Sequence, residues 1–181
     1  MLISRAWNAI RRATSFPFGH WRLEARLRIS GAWRAVALKW IGTGRKPIPA
    51  SWKMIGPRTS LYQLAGNRNA AHPVNAMLNY AYAVLESEVR IQLVADGFDP
   101  TKGIMHEVRQ GSSAFVFDMM ELQRPRADRA VLDFLNVNVL HSADFTIGSN
   151  GVCRLNPQMA RSILEIYGNF GIGRVWSEAK Y

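Results

Sequence analysis

Asp118 and Glu121 stand three residues apart in FVFDMMELQRP, residues 115–125, among Phe, Val and Met. On a helix, residues at i and i+3 share a face, so the two carboxylates reach one point beside it. Moving an unpaired carboxylate out of water costs on the order of several kcal/mol, so something basic or cationic must answer the pair. Spacing leaves two answers open: local pairing with Arg124 or Arg126, or a bound cation. Two further acids, Glu86 and Glu88, lie two residues apart and so point in different directions. Glu86 borders the apolar position Leu85, and Glu88 is expected further towards solvent. His106 follows Gly103-Ile104-Met105 out of a turn. Carboxylate oxygens with one imidazole make a hard, mostly oxygen donor set that suits Mg²⁺ or Mn²⁺ rather than structural zinc. A cation so held stabilises charge at a phosphodiester and activates an oxygen nucleophile. His20, His72 and His141 lack acid companions in the sequence and read as surface or capping residues. Cys153 is the single cysteine, which excludes an intrachain disulfide or a cysteine-based metal cage and suits a reducing cytoplasm.

The elements that must hold these groups are mostly helical. PVNAMLNYAYAVLESEVRIQLVADG, from Pro73, predicts a helix ending at Gly97, with Val74, Met77, Leu78, Ala81, Leu85, Val89 and Leu93 as its buried stripe. Proline suits a first turn because its missing N–H had no intrahelical partner. A second helix is expected over residues 113–136, interrupted or kinked at Pro125. FTIGSNGVCRL predicts a strand, a Gly-Ser-Asn-Gly connection and a second strand. Asn156 and Pro157 open a third helix that Gly168 follows. Earlier in the chain, residues 22–41 carry apolar and basic positions at near-helical spacing, weakened by Gly31. The next stretch, GTGRKPIPASWKMIGP, has three Gly and three Pro and reads as a linker. The organisation is therefore a basic helical N-terminal segment and linker, 1–55, and a helical domain, 56–181. The fold class is mostly α with a small β-hairpin near the C-terminus.

Charge separates the same two parts. Residues 1–60 hold 12 Lys and Arg against the single acid Glu24, while residues 61–181 hold 11 basic and 12 acidic residues. Such asymmetry implies an anionic partner for the first part, nucleic acid or membrane headgroups. No run approaches the roughly 20 apolar residues that a spanning helix needs. The basic opening MLISRAWNAIRRATS lacks the apolar core of a secretory signal and reads as a helix or tail. The five Trp of residues 7–52 read as packing anchors rather than base-stacking platforms.

Three separated motifs, NAMLNYAYAVLESEV, DGFDPTKGIMH and FVFDMMELQRP, agree in order and interval with one family. They resemble the catalytic domain of the CRISPR-associated endonuclease/integrase family, the Cas-one adaptation proteins, over about residues 55–167. The resemblance implies a helical, metal-dependent DNA nuclease and integrase. It places the family's acid, histidine and second acid on Glu86, His106 and Glu121 as ligands of Mg²⁺ or Mn²⁺. Asp118 stands beside them as auxiliary catalytic acid. It also implies that Arg124 orients an acid or meets phosphate, and Arg58, Arg68 and Arg109 flank the site as candidate DNA contacts. The paired acids are then expected to form one wall of a divalent-metal site, closed by Glu86 and His106, rather than to answer a basic residue in the core. Family members form a homodimer and recruit a small partner, Cas two, through a β-rich N-terminal domain. Only about 55 residues, strongly basic in balance, precede the catalytic domain here. A truncated, non-catalytic DNA-binding remnant is therefore the alternative, and a membrane-surface role for residues 1–41 a third reading.

Overall fold

The computed structural model describes residue 33 and residues 36–55, 70–103, 112–149 and 151–169, the side chains of 167 and 169 excepted. Two long helices dominate it, α1 (Pro73–Ala95) and α2 (Ala114–Val137). All seven predicted stripe residues of α1 are buried. They meet Phe115, Val116, Met119, Met120, Ala127, Val131 and Leu135 of α2 in one apolar core.

Both ends of α1 are closed by their own residues. His72 is the N-cap, its Nδ1 accepting the Val74 N–H at 3.2 Å. At the other end Gly97 takes φ +80°, which a side chain would resist. There the Phe98 N–H reaches the Leu93 carbonyl at 2.8 Å and the Gly97 N–H reaches that of Val94 at 3.0 Å, a Schellman closure. Phe98 then packs edge-on against Phe115, centroids 5.7 Å apart, which turns the chain back towards α2. The second helix is not interrupted at Pro125: it runs through as one 24-residue element. The proline still has no N–H for the carbonyl four residues back, that of Glu121. Packing along the rest of α2 outweighs that lost bond.

After α2 come the strands β2 (Leu140–His141), β3 (Phe145–Ile147) and β4 (Cys153–Leu155), then α3 (Pro157–Asn169). The predicted hairpin is present, β3 and β4 pairing antiparallel with Thr146 opposite Arg154. Asn156 caps α3 by accepting the Met159 N–H at 2.7 Å, and the helix continues through Gly168.

The region before α1 departs further from expectation. Residues 36–39 are irregular and Trp40–Ile41 form a strand, β1, paired parallel with β2. The predicted helix therefore does not reach residue 41; of its earlier part only Trp33 is described, and it is helical. The stretch read as a linker is packed. Trp52 is buried and, with Trp40 and Phe145, forms an aromatic triad with centroids 5.4–5.8 Å apart. Lys46 Nζ donates to the Phe145 carbonyl at 2.6 Å, and Ser142 Oγ to the Lys46 carbonyl at 2.5 Å. Glycines and prolines here shape a fitted strap rather than a free tether. Among the described residues no helix is long and apolar enough to cross a membrane.

Candidate active site

The antiparallel register of α1 and α2 fixes which residues face one another. Tyr82 meets Arg124 and Asp128, while eight residues on, Arg90 meets Ser113 at the start of α2. Glu86, midway between Tyr82 and Arg90, therefore stands level with the Asp118–Glu121 turn.

Asp118 and Glu121 are both buried, at 3% and 9% exposure, as the shared-face reading requires. A basic residue does answer Glu121, contrary to the expectation from sequence. Arg124 Nη1 lies 3.2 Å from Glu121 Oε1, an i,i+3 pair with the carboxylate almost enclosed. The Arg124 guanidinium also lies over the Tyr82 ring, 5.2 Å from its centroid. The Tyr82 hydroxyl donates to Asp128 Oδ1 one helical turn further along α2. Arg124 is thus paired with an acid.

Glu86 is held within its own helix. Arg90 Nη2 donates to Glu86 Oε1 at 2.8 Å and to Ser113 Oγ at 2.5 Å, tying α1 to the N-cap of α2. Glu86, Asp118 and Glu121 do not close on a common point: among the described residues no three His, Cys, Asp or Glu side chains gather as a metal-binding group. His106, Arg58, Arg68 and Arg109 lie outside the described residues.

Glu88 is less solvated than its position suggested. It is half-buried, with Oε2 shielded and without a hydrogen-bond partner, and desolvation pushes its carboxyl above the ordinary value. Burial also pushes the Cys153 thiol up to about 12, which removes thiolate chemistry near neutral pH. His72 is a cap rather than a surface residue, 6% exposed.

Sequence reasoning missed Tyr82, Asp128 and Arg90. A faint signal existed: Tyr82, Glu86 and Arg90 repeat every four residues along one face of α1, as Arg124 and Asp128 do along α2. Only the helix register brings the two rows together.

Two antiparallel helices with a buried acid pair facing a Tyr/Glu/Arg row, followed by a hairpin and a short helix, form a helical domain of the CRISPR-associated integrase type. The family model for CRISPR-associated protein Cas1 matches residues 63–169, and the chain belongs to that family. Curated relatives include a CRISPR-associated exonuclease Cas4/endonuclease Cas1 fusion of Geobacter sulfurreducens, 44% identical over 93 residues, with 51% of this chain and 16% of the relative covered. A CRISPR-associated endonuclease Cas1 of Methanospirillum hungatei is 31% identical over 113 residues, with 62% of this chain and 33% of the relative covered. Among solved structures, a casposase bound to integration product superimposes with TM-score 0.58 at 28% identity, over 68% of this chain and 35% of that one. The matches thus span a third or less of these two relatives' length.

Proposed function

We propose that this chain is a divalent-metal-dependent DNA endonuclease and integrase of CRISPR adaptation, with Asp118 and Glu121 as its acid face. The observation that supports it most is the burial of both carboxylates on one face of α2, within a family whose relatives are named endonucleases and whose solved neighbour holds an integration product. Hard carboxylate oxygens are the donors that Mg²⁺ or Mn²⁺ selects, so the chemistry of the pair fits such an ion. Glu121, Asp118 and His106 are its proposed holders. Glu86 joins them from the facing helix when Arg90 releases it. Bound there, the ion supplies charge neutralisation at a scissile phosphate and polarises the attacking oxygen.

The residues supply orientation. Arg124 holds one oxygen of Glu121 and leaves the direction of the other set by that contact. Arg90 pins α1 against the start of α2, so that Glu86 and the acid pair keep one level. Attack by a DNA 3′-hydroxyl gives strand transfer, and attack by water gives cleavage. Arg58, Arg68 and Arg109, with the strongly basic first third of the chain, are assigned to phosphate contact, which needs clustered cations rather than a particular sequence. On the resemblance alone, a homodimer and a Cas-two partner complete the working assembly, in a reducing cytoplasm.

Branched DNA incubated with Mg²⁺ or Mn²⁺ tests this reading. The wild-type chain cuts and joins strands, and Glu121→Gln abolishes both. Wild-type activity no greater than that of a His106→Ala, Glu121→Gln double variant overturns the enzymatic claim.

One observation favours a second reading, that of a non-catalytic DNA-binding protein: Glu121 and Glu86 are each already paired with an arginine, Arg124 and Arg90. That reading requires salt-sensitive DNA binding that survives EDTA and is unchanged by Glu121→Ala.

A further inference from the structure

The contacts around Glu121 continue beyond Arg124. The guanidinium lies over the Tyr82 ring, 5.2 Å from its centroid, and Tyr82 in turn donates its hydroxyl to the buried Asp128. The Arg124 Nε is buried without a hydrogen-bond partner. A cation above a ring is attracted by the ring's quadrupole, and partial burial strengthens the attraction. Hydrogen-bond chains polarise one another, so a phenol donating to a carboxylate presents a more electron-rich face to the cation. The far end of the same guanidinium is Nη1, 3.2 Å from Glu121 Oε1. Asp128, Tyr82, Arg124 and Glu121 therefore form one continuous relay. It starts on α2 at Asp128, crosses to α1, returns to α2 at Arg124 and ends at Glu121, about two helical turns before its start.

We propose that Tyr82 and Asp128 are positioning residues for metal binding: they seat Arg124, and through it fix the Glu121 carboxylate. The proposal rests on the reading of Glu121 as a metal ligand. Arg124 is a flexible side chain, 37% exposed, next to a carboxylate that is only 11% exposed. Without the ring beneath it, the guanidinium is free to rotate towards solvent and leave Glu121 to find another orientation. Partners that orient a ligand in this way typically carry about tenfold to a hundredfold of metal affinity. Tyr82 touches neither metal nor substrate in this account; its whole effect passes through Arg124.

Mn²⁺ affinity, read from the free-ion electron paramagnetic resonance signal, tests the proposal without reference to activity. Wild type, Glu121→Gln, Tyr82→Leu and Tyr82→Trp are compared at equal folded fraction, set by circular dichroism. Glu121→Gln loses Mn²⁺ binding. Tyr82→Leu weakens it by about tenfold, and Tyr82→Trp, which keeps an aromatic face under Arg124, restores most of the loss. A residue that only stabilises the fold shifts the melting temperature and leaves affinity per folded molecule unchanged. Binding that depends on Glu121 but is as tight in folded Tyr82→Leu as in wild type overturns the positioning role alone. Binding indifferent to Glu121→Gln removes the metal-site reading, and the positioning role with it.

Discussion

Glu88 and Glu121 are both shielded from water, yet their surroundings set them different tasks. Glu121 has the Arg124 guanidinium beside it, whereas the shielded oxygen of Glu88 has no hydrogen-bond partner and its carboxyl is pushed upward by desolvation. A carboxyl whose folded-state value is raised binds a proton more readily folded than unfolded. Its stabilising contribution is thus complete below the unfolded value, near 4.5, and is lost as pH rises above it. Glu88→Gln is therefore expected to melt higher than wild type at pH 7, and the difference should shrink below pH 4.5. Thermal melts at the two pH values check this. An equal drop in melting temperature at both would show that the carboxylate has a favourable role. The shared face of Asp118 and Glu121 was legible in their spacing, and so was the option of an Arg124 partner. The Tyr82–Asp128 contact was not, because it depends on how α1 slides along α2, which no local pattern encodes.

Helices α1, α2 and α3 were readable because each carries a long apolar period, and α1 and α3 also have recognisable end residues, Pro73 and Gly97 for α1, Asn156 and Pro157 at the start of α3. Strands β1 and β2 have two residues each, too few to show an alternation, and their parallel pairing joins positions a hundred residues apart. Pro125 does not interrupt α2, for a physical reason. Its steric and hydrogen-bond penalty is real, but the buried face of α2 continues beyond it through Ala127, Val131 and Leu135. His72 links an element's end to a pH. Its Nδ1 must be unprotonated to accept the Val74 N–H. Desolvation lowers its folded-state value below 6.5, outweighing the Trp52 and Met54 carbonyls, which raise it. Stability from this cap is then complete above pH 6.5 and declines as pH falls below it. Urea unfolding at pH 7.5 and 5.5 should show wild type losing stability at the lower pH, and His72→Ala losing less. The alanine variant should also be less stable at pH 7.5 by about 1 kcal/mol, the usual size of a lost cap. Equal pH sensitivity in the two proteins would contradict the assignment.

At the scale of the molecule, the sequence divides into a basic first third and a balanced remainder, but folding does not respect that line. Trp40, Lys46 and Trp52 from the basic part are fastened to Phe145 and Ser142 beyond α2. Lys39, Arg45, Lys46 and Lys53, the described cations of that part, thereby belong to the same body as the acid face. Everything proposed for the acid face requires that it take a divalent cation. Crystals grown with Mn²⁺ and measured above the manganese absorption edge give the most direct answer. The prediction is an anomalous difference peak at the Asp118 and Glu121 carboxylates, with Arg124 still in contact with Glu121. A well-ordered Glu121–Arg124 pair with no peak beside it, at millimolar Mn²⁺, would contradict the account.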